Sequence, residues 1–115
     1  MALAQKVSGI VSKEWEKEIT ELIGKYNLKN EDSKALRALS SKFNVSPRDV
    51  ARTLQSNEIS NEVWYESMKK QATAGSDRYK RIFRIASECM DYSVRPFKPK
   101  EEYRGLVSKL ELQYK

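Results

Sequence analysis

Histidine is absent from this chain of 115 residues. The usual proton shuttle near neutral pH and the commonest metal ligand are therefore missing. Cys89 is the one cysteine, so no disulfide forms within the chain and no multi-cysteine metal site exists. It falls in an apolar helical pattern, which predicts a buried, inert thiol. So little cysteine suits a reducing, cytoplasmic compartment. Glycine and proline number only 4 and 3. An all-β domain needs turn chemistry every 8–12 residues or so, which these few residues cannot supply. No run of about 18 apolar residues occurs, so no membrane-spanning helix is expected. Met1 to Val7 lacks the basic start and long apolar stretch of a secretory signal. No P-loop or dinucleotide-binding glycine pattern is present.

What is there is helical periodicity and positive charge. The length suits a single domain over residues 1–115, either a whole protein or one domain of a larger parent or complex. Leu3, Val7, Ile10, Val11, Ile19, Leu22, Ile23 and Tyr26 recur at three- and four-residue steps, as on an amphipathic helix. A break is expected near Gly9 to Ser12, where Ser12 can cap a fresh start and Glu14 and Glu16 follow in its first turn. Asn27 is a plausible stop, since asparagine tolerates left-handed backbone.

Asn30 is the expected cap of a second helix carrying Ala35, Leu36, Leu39 and Phe43, which stops near Asn44. Ser46-Pro47-Arg48-Asp49 then reads as a strong helix start, with a serine cap, proline at the first position and an acid at the capping-box position. Ser60 is the expected cap of a helix carrying Val63, Trp64, Met68 and Ala72, with Trp64 in the core and Gly75 as its stop. Ser76 starts a further helix with Tyr79, Ile82, Phe83, Ala86 and Met90 on one side. Ser93 to Lys100 contains Pro96 and Pro99 and is expected to be extended. A last helix carries Tyr103, Leu106, Val107 and Leu110. No internal repeat is evident. The expected fold is an all-α bundle of five to six helices.

Residues 36–55 read LRALSSKFNVSPRDVARTLQ. Leu39, Phe43, Val45, Val50 and Leu54 supply an apolar set for two short helices joined by a tight turn, with Ser40 as the small residue at their contact and Asn44 at the turn. This stretch resembles helix-turn-helix DNA-binding domains. It departs from them at Ser40, where alanine is usual, at Asn44, where glycine is usual, and at Leu54, which falls one place late. The resemblance implies that Pro47 to Gln55 is a recognition helix. Ser46, Arg48, Arg52, Thr53 and Gln55 would then face a major groove, where arginine and glutamine pair with guanine and adenine edges. The alternative is a short connecting helix whose arginines are merely solvated.

The net charge of +6 is unevenly placed. Residues 69–100 hold 9 basic and 3 acidic residues, whereas residues 1–62 hold 10 and 9. Helical projection puts Lys80, Arg81 and Arg84 opposite the apolar face of their helix, and Lys69 and Lys70 extend the patch. Tyr92, Arg95, Phe97, Lys98 and Lys100 interleave rings and cations, as single-strand binding requires. The same stretch also reads as a connector with its rings tucked into the core. Glu14, Glu16, Glu18 and Glu21 read as a solvated helix face, and Glu101 and Glu102 as first-turn acids. No enzyme, metal or cofactor is expected. The expected function is DNA binding, duplex or single-stranded, by a regulator or by a template-binding accessory domain of a replication protein such as a primase or helicase. The alternatives are an RNA-binding subunit of a ribonucleoprotein and a protein-interaction or virion structural module.

Overall fold

Local capping chemistry sets most of the helix boundaries. The structure is a computed structural model and describes residues 12–114. The expected apolar positions Leu3, Val7, Ile10 and Val11 lie outside the described residues. Helix α1 spans Lys13–Tyr26, and the Ser12 hydroxyl accepts the Trp15 N–H at its start. Helix α2 spans Asn30–Phe43 and α3 spans Pro47–Leu54. Both α1 and α2 end on a left-handed asparagine, Asn27 at φ 56° and Asn44 at φ 53°. The next residue in each case donates back into the helix, Leu28 to Ile23 and Val45 to Ser40, and is itself buried.

The start of α2 differs from expectation by one residue. Lys29, not Asn30, occupies the cap position. The carboxylate of Asp32 reaches back to the Lys29 N–H at 2.9 Å. An acid three residues into a helix does this whatever the cap residue is.

A short turn of helix missed by periodicity, α4 (Asn57–Ser60), follows α3. Helix α5 spans Glu62–Thr73, and Asn61 rather than Ser60 caps it by accepting the N–H groups of Val63 and Trp64. This start turns Tyr65, Met68 and Ala72 inward. Trp64, expected in the core, is instead 53% exposed, and Val63 is 77% exposed. Gly75, at φ +107°, ends α5, while Ser76 donates to Gln71 and then caps the next helix. Helix α6 spans Asp77–Cys89 and buries Ile82, Ile85, Ala86 and Cys89. Burial pushes the Cys89 thiol up to about 12, which makes it unreactive at neutral pH.

The stretch expected to be extended closes into a small hairpin. Strand β1 (Met90–Asp91) pairs antiparallel with β2 (Lys98–Pro99), Met90 opposite Pro99. A 3₁₀ turn over Glu101–Tyr103 leads into α7 (Arg104–Tyr114). The protein is therefore mostly helical, an all-α bundle with, among the described residues, one minimal two-stranded sheet.

Helix α3 sits at the centre and packs against α1, α2, α6 and α7. Val50 and Leu54 are fully buried there, as are Leu36, Leu39 and Ser40 of α2. The Ser40 hydroxyl is buried with no hydrogen-bond partner among the described residues. A desolvated, unpaired hydroxyl costs free energy that alanine would not. Ser40→Ala is therefore expected to stabilise the fold by about 1 kcal/mol and raise the melting temperature by several degrees. A lower melting temperature would show that this hydroxyl is satisfied in solution.

Helix α7 approaches α2 closely at Gly105. A Cβ there would stand 2.5 Å from Asp32 Oδ1. That carboxylate cannot yield freely, because it holds the Lys29 N–H and, at 3.2 Å, Lys109 Nζ. Glycine to alanine in a helix interior is ordinarily worth up to about 1 kcal/mol in stability. Displacing a partly buried, charge-assisted pair costs more, so Gly105→Ala is expected to destabilise by about 1–2 kcal/mol net. Chemical denaturation measures this directly, and a gain would mean that α7 has room to shift.

Candidate nucleic-acid interface

The face of α3 opposite its buried stripe carries Arg48, Arg52, Thr53 and Gln55 at its exposed and half-buried positions. Neighbouring helices divide this face. At its start, Glu18 of α1 accepts the Arg48 N–H at 3.1 Å, and Glu21 holds the Arg48 guanidinium at 2.7 Å. The α1 acids expected to be merely solvated thus dock on the N-terminus of α3, where negative charge is favourable. Glu16 likewise pairs with Arg37 of α2. Ser46 is used as the cap, accepting the Asp49 N–H. Asp49 itself pairs with Arg52 at 2.9 Å, and the Thr53 hydroxyl donates to the Asp49 carbonyl. Gln55 donates to the Tyr26 hydroxyl at 2.9 Å.

Helices α3 and α6 border a cleft of about 470 Å³. Arg52, Thr53 and Gln55 line one wall, and Arg78 and Arg81 the other, with Glu58 and Asp49 as the acids present. Two regions read separately in the sequence, the helix-turn-helix-like centre and the basic helix, therefore meet on one surface. Arg78 was missed by sequence reasoning. Its signal was the three-residue spacing Arg78, Arg81, Arg84, which aligns cations along one side of a helix.

Arg84 continues this line. Its guanidinium lies 5.8 Å from the Phe43 ring, and Lys42 Nζ lies the same distance from that ring. Lys80 is also exposed on α6. No carboxylate among the described residues pairs with Arg78, Lys80, Arg81 or Arg84.

The remaining expected residues lie elsewhere. The Phe97 ring meets Tyr65 at 5.3 Å and Tyr92 at 4.6 Å, and Tyr92 stacks on Tyr65 at 4.0 Å. The Tyr92 hydroxyl donates to the Ile59 carbonyl, and burial pushes its pKa up. The Arg95 guanidinium lies over Phe97 and pairs with Glu62 at 3.3 Å. These rings pack on one another rather than standing open for bases. Lys69 Nζ lies 5.8 Å from the Tyr65 ring, and Lys69 and Lys70 are exposed on α5. Lys98 and Lys100 are exposed on and beside β2.

No group of three or more acids or cysteines among the described residues could hold a metal ion. No helix among them is long and apolar enough to cross a membrane. No family model, curated protein or solved structure matches the chain. Fold and surface together define an all-α domain with a basic, partly acidic cleft between two helices.

One end of the basic line is anchored by Glu88. Its carboxylate accepts Lys42 Nζ at 3.0 Å and the Tyr103 hydroxyl at 3.0 Å. The Lys42 hydrogen bond, with help from Tyr103, holds the Glu88 carboxyl below its usual value. The ionised form is thus favoured in the folded state. Its stabilising effect is present above the usual carboxylate range and is lost as pH falls through the lowered value. Glu88→Gln is expected to flatten the acid limb of stability against pH, read as denaturation midpoints between about pH 7 and about pH 3. Parallel limbs in the two proteins would refute this role.

Proposed function

We propose that the chain is a non-catalytic module that binds DNA through the cleft between α3 and α6. The convergence of Arg52, Arg78 and Arg81 on one cleft carries this reading. Arg78 and Arg81 pair with no acid among the described residues, unlike Arg52, which pairs with Asp49; such cations favour a polyanion, and their clustering adds field along one surface. The arginines suit phosphate, because a guanidinium fork matches two phosphate oxygens. Such a contact suits a regulator or a template-binding accessory domain of a replication protein. An RNA-binding subunit would use the same cations.

Fluorescence anisotropy with labelled duplex DNA, single-stranded DNA and RNA at several salt concentrations tests the proposal. Affinity is expected to fall linearly with log salt. Arg78→Ala and Arg81→Ala are each expected to weaken binding about five- to tenfold and to reduce the salt slope by about 1. Lys70→Ala, on α5, is expected to change little. A double variant of Arg78 and Arg81 that binds like the unaltered protein would remove the cleft from consideration. Absence of binding to all three ligands would point instead to a protein partner, for which exposed Val63 and Trp64 offer a surface.

A further inference from the structure

A helix that enters a major groove needs clearance. The groove is about 12 Å wide and a helix with side chains is about 10–12 Å across. Helix α3 has neighbours on both flanks, α1 at Arg48 and Gln55 and α6 across the cleft. Glu18 and Glu21 stand at its N-terminal end, where the phosphates of an enclosing duplex would pass. The cleft, by contrast, is of the size that seats one small ligand.

Its lining is also chemically mixed. Arg78 and Arg81 supply cations from α6, while Asp49, Thr53 and Gln55 supply acceptors and donors from α3. A carboxylate repels phosphate but accepts from the amino groups of bases. A wall of two guanidinium groups facing a wall of carboxylate, hydroxyl and amide, whose one cation, Arg52, is paired with Asp49, suits a ligand with an anion at one end and hydrogen-bonding edges at the other. A nucleotide has that form. Arg52 and Asp49 are exposed and paired three residues apart on one helix, an arrangement that adds little stability. Arg52 can therefore turn to a phosphate and uncover Asp49.

We infer that the cleft seats one unstacked nucleotide of a single strand, its phosphate on Arg78 and Arg81 and its base edge against Asp49 and Gln55. This deepens the proposed function and rests on it. The test is anisotropy of a labelled single strand of about 12 nucleotides, in DNA and RNA form, against a DNA hairpin duplex containing the same sequence. The strand, in at least one form, is expected to bind at least about tenfold tighter than the hairpin at equal salt. Gln55→Ala is expected to weaken strand binding about fivefold with the salt slope unchanged, because a base contact releases no counterion. Arg81→Ala lowers both affinity and slope. Asp49→Ala also removes a charge that repels phosphate and frees Arg52, so it is read by base preference: the order of affinities among homopolymer strands is expected to change, which serves should loss of the Tyr26 contact lower the melting temperature of the first variant. A hairpin bound as tightly as both strands, or full strand affinity in the Gln55 variant together with an unchanged order of preference among strands in the Asp49 variant, overturns the single-nucleotide site. If salt-dependent, Arg81-dependent binding remains in that case, the proposed function stands. Loss of all binding removes both.

Discussion

The carboxylate of Asp32 ties together three segments of chain. It closes the first turn of α2 through the Lys29 N–H. It holds Lys109 of α7, whose ammonium also donates to the Asn27 carbonyl at the end of α1, at 2.9 Å. Gly105 leaves the space in which this carboxylate sits. Only 8% of the Asp32 side chain is exposed, and a charge buried that far must be paired or the fold loses more than it gains. The turn from α1 to α2 and the docking of α7 are thus one constraint. Helix α7 packs beneath both α2 and α3, so the central helix inherits its support from this contact.

The local part of this design was legible in the sequence. Ser12, Ser46, Ser76 and the two asparagine stops act where their side-chain chemistry places them, because each acts within a few residues. The two stops even share a pattern, Lys25-Tyr26-Asn27-Leu28 and Lys42-Phe43-Asn44-Val45. Register was less legible. Val63, Trp64, Met68 and Ala72 satisfy helical spacing nearly as well as Tyr65, Met68 and Ala72. The choice was made by the Asn61 cap and by ring contacts with Phe83, Tyr92 and Phe97. Those partners lie tens of residues away, beyond any periodicity window.

The same limit applies to the candidate surface. The cations of α6 were readable from its helical projection, since an exposed face needs only the helix itself. The fate of Arg48 was not, because Glu18 and Glu21 meet it only when α1 packs beside α3. Nor was the fate of Phe97, whose neighbours complete a cluster across α5 and the hairpin. The full or partial exposure of Arg52, Thr53 and Gln55 follows from their place on and just beyond α3. Their junction with Arg78 and Arg81 follows from the packing of α3 on α6, a long-range fact.

Charge pairing separates the structural cations from the available ones. Arg37, Lys42, Arg48, Arg95 and Lys109 each meet an acid from a segment distant in sequence. Four of these pairs join helices, and the Arg95 pair ties the hairpin to α5. Arg78, Lys80, Arg81 and Arg84 instead crowd one helix at three- and four-residue steps, where like charges repel and weaken the helix slightly. The inward face of α6 offsets that cost through the burial of Ile82, Ile85, Ala86 and Cys89. A helix held by its other face can carry such repulsion without unfolding. An anion bound along α6 would relieve it, so part of the free energy of such binding would already be stored in the free protein as unneutralised charge. On the proposed reading, the cleft between α3 and α6, rather than the better-paired α1 edge of α3, is therefore where a polyanion would gain most.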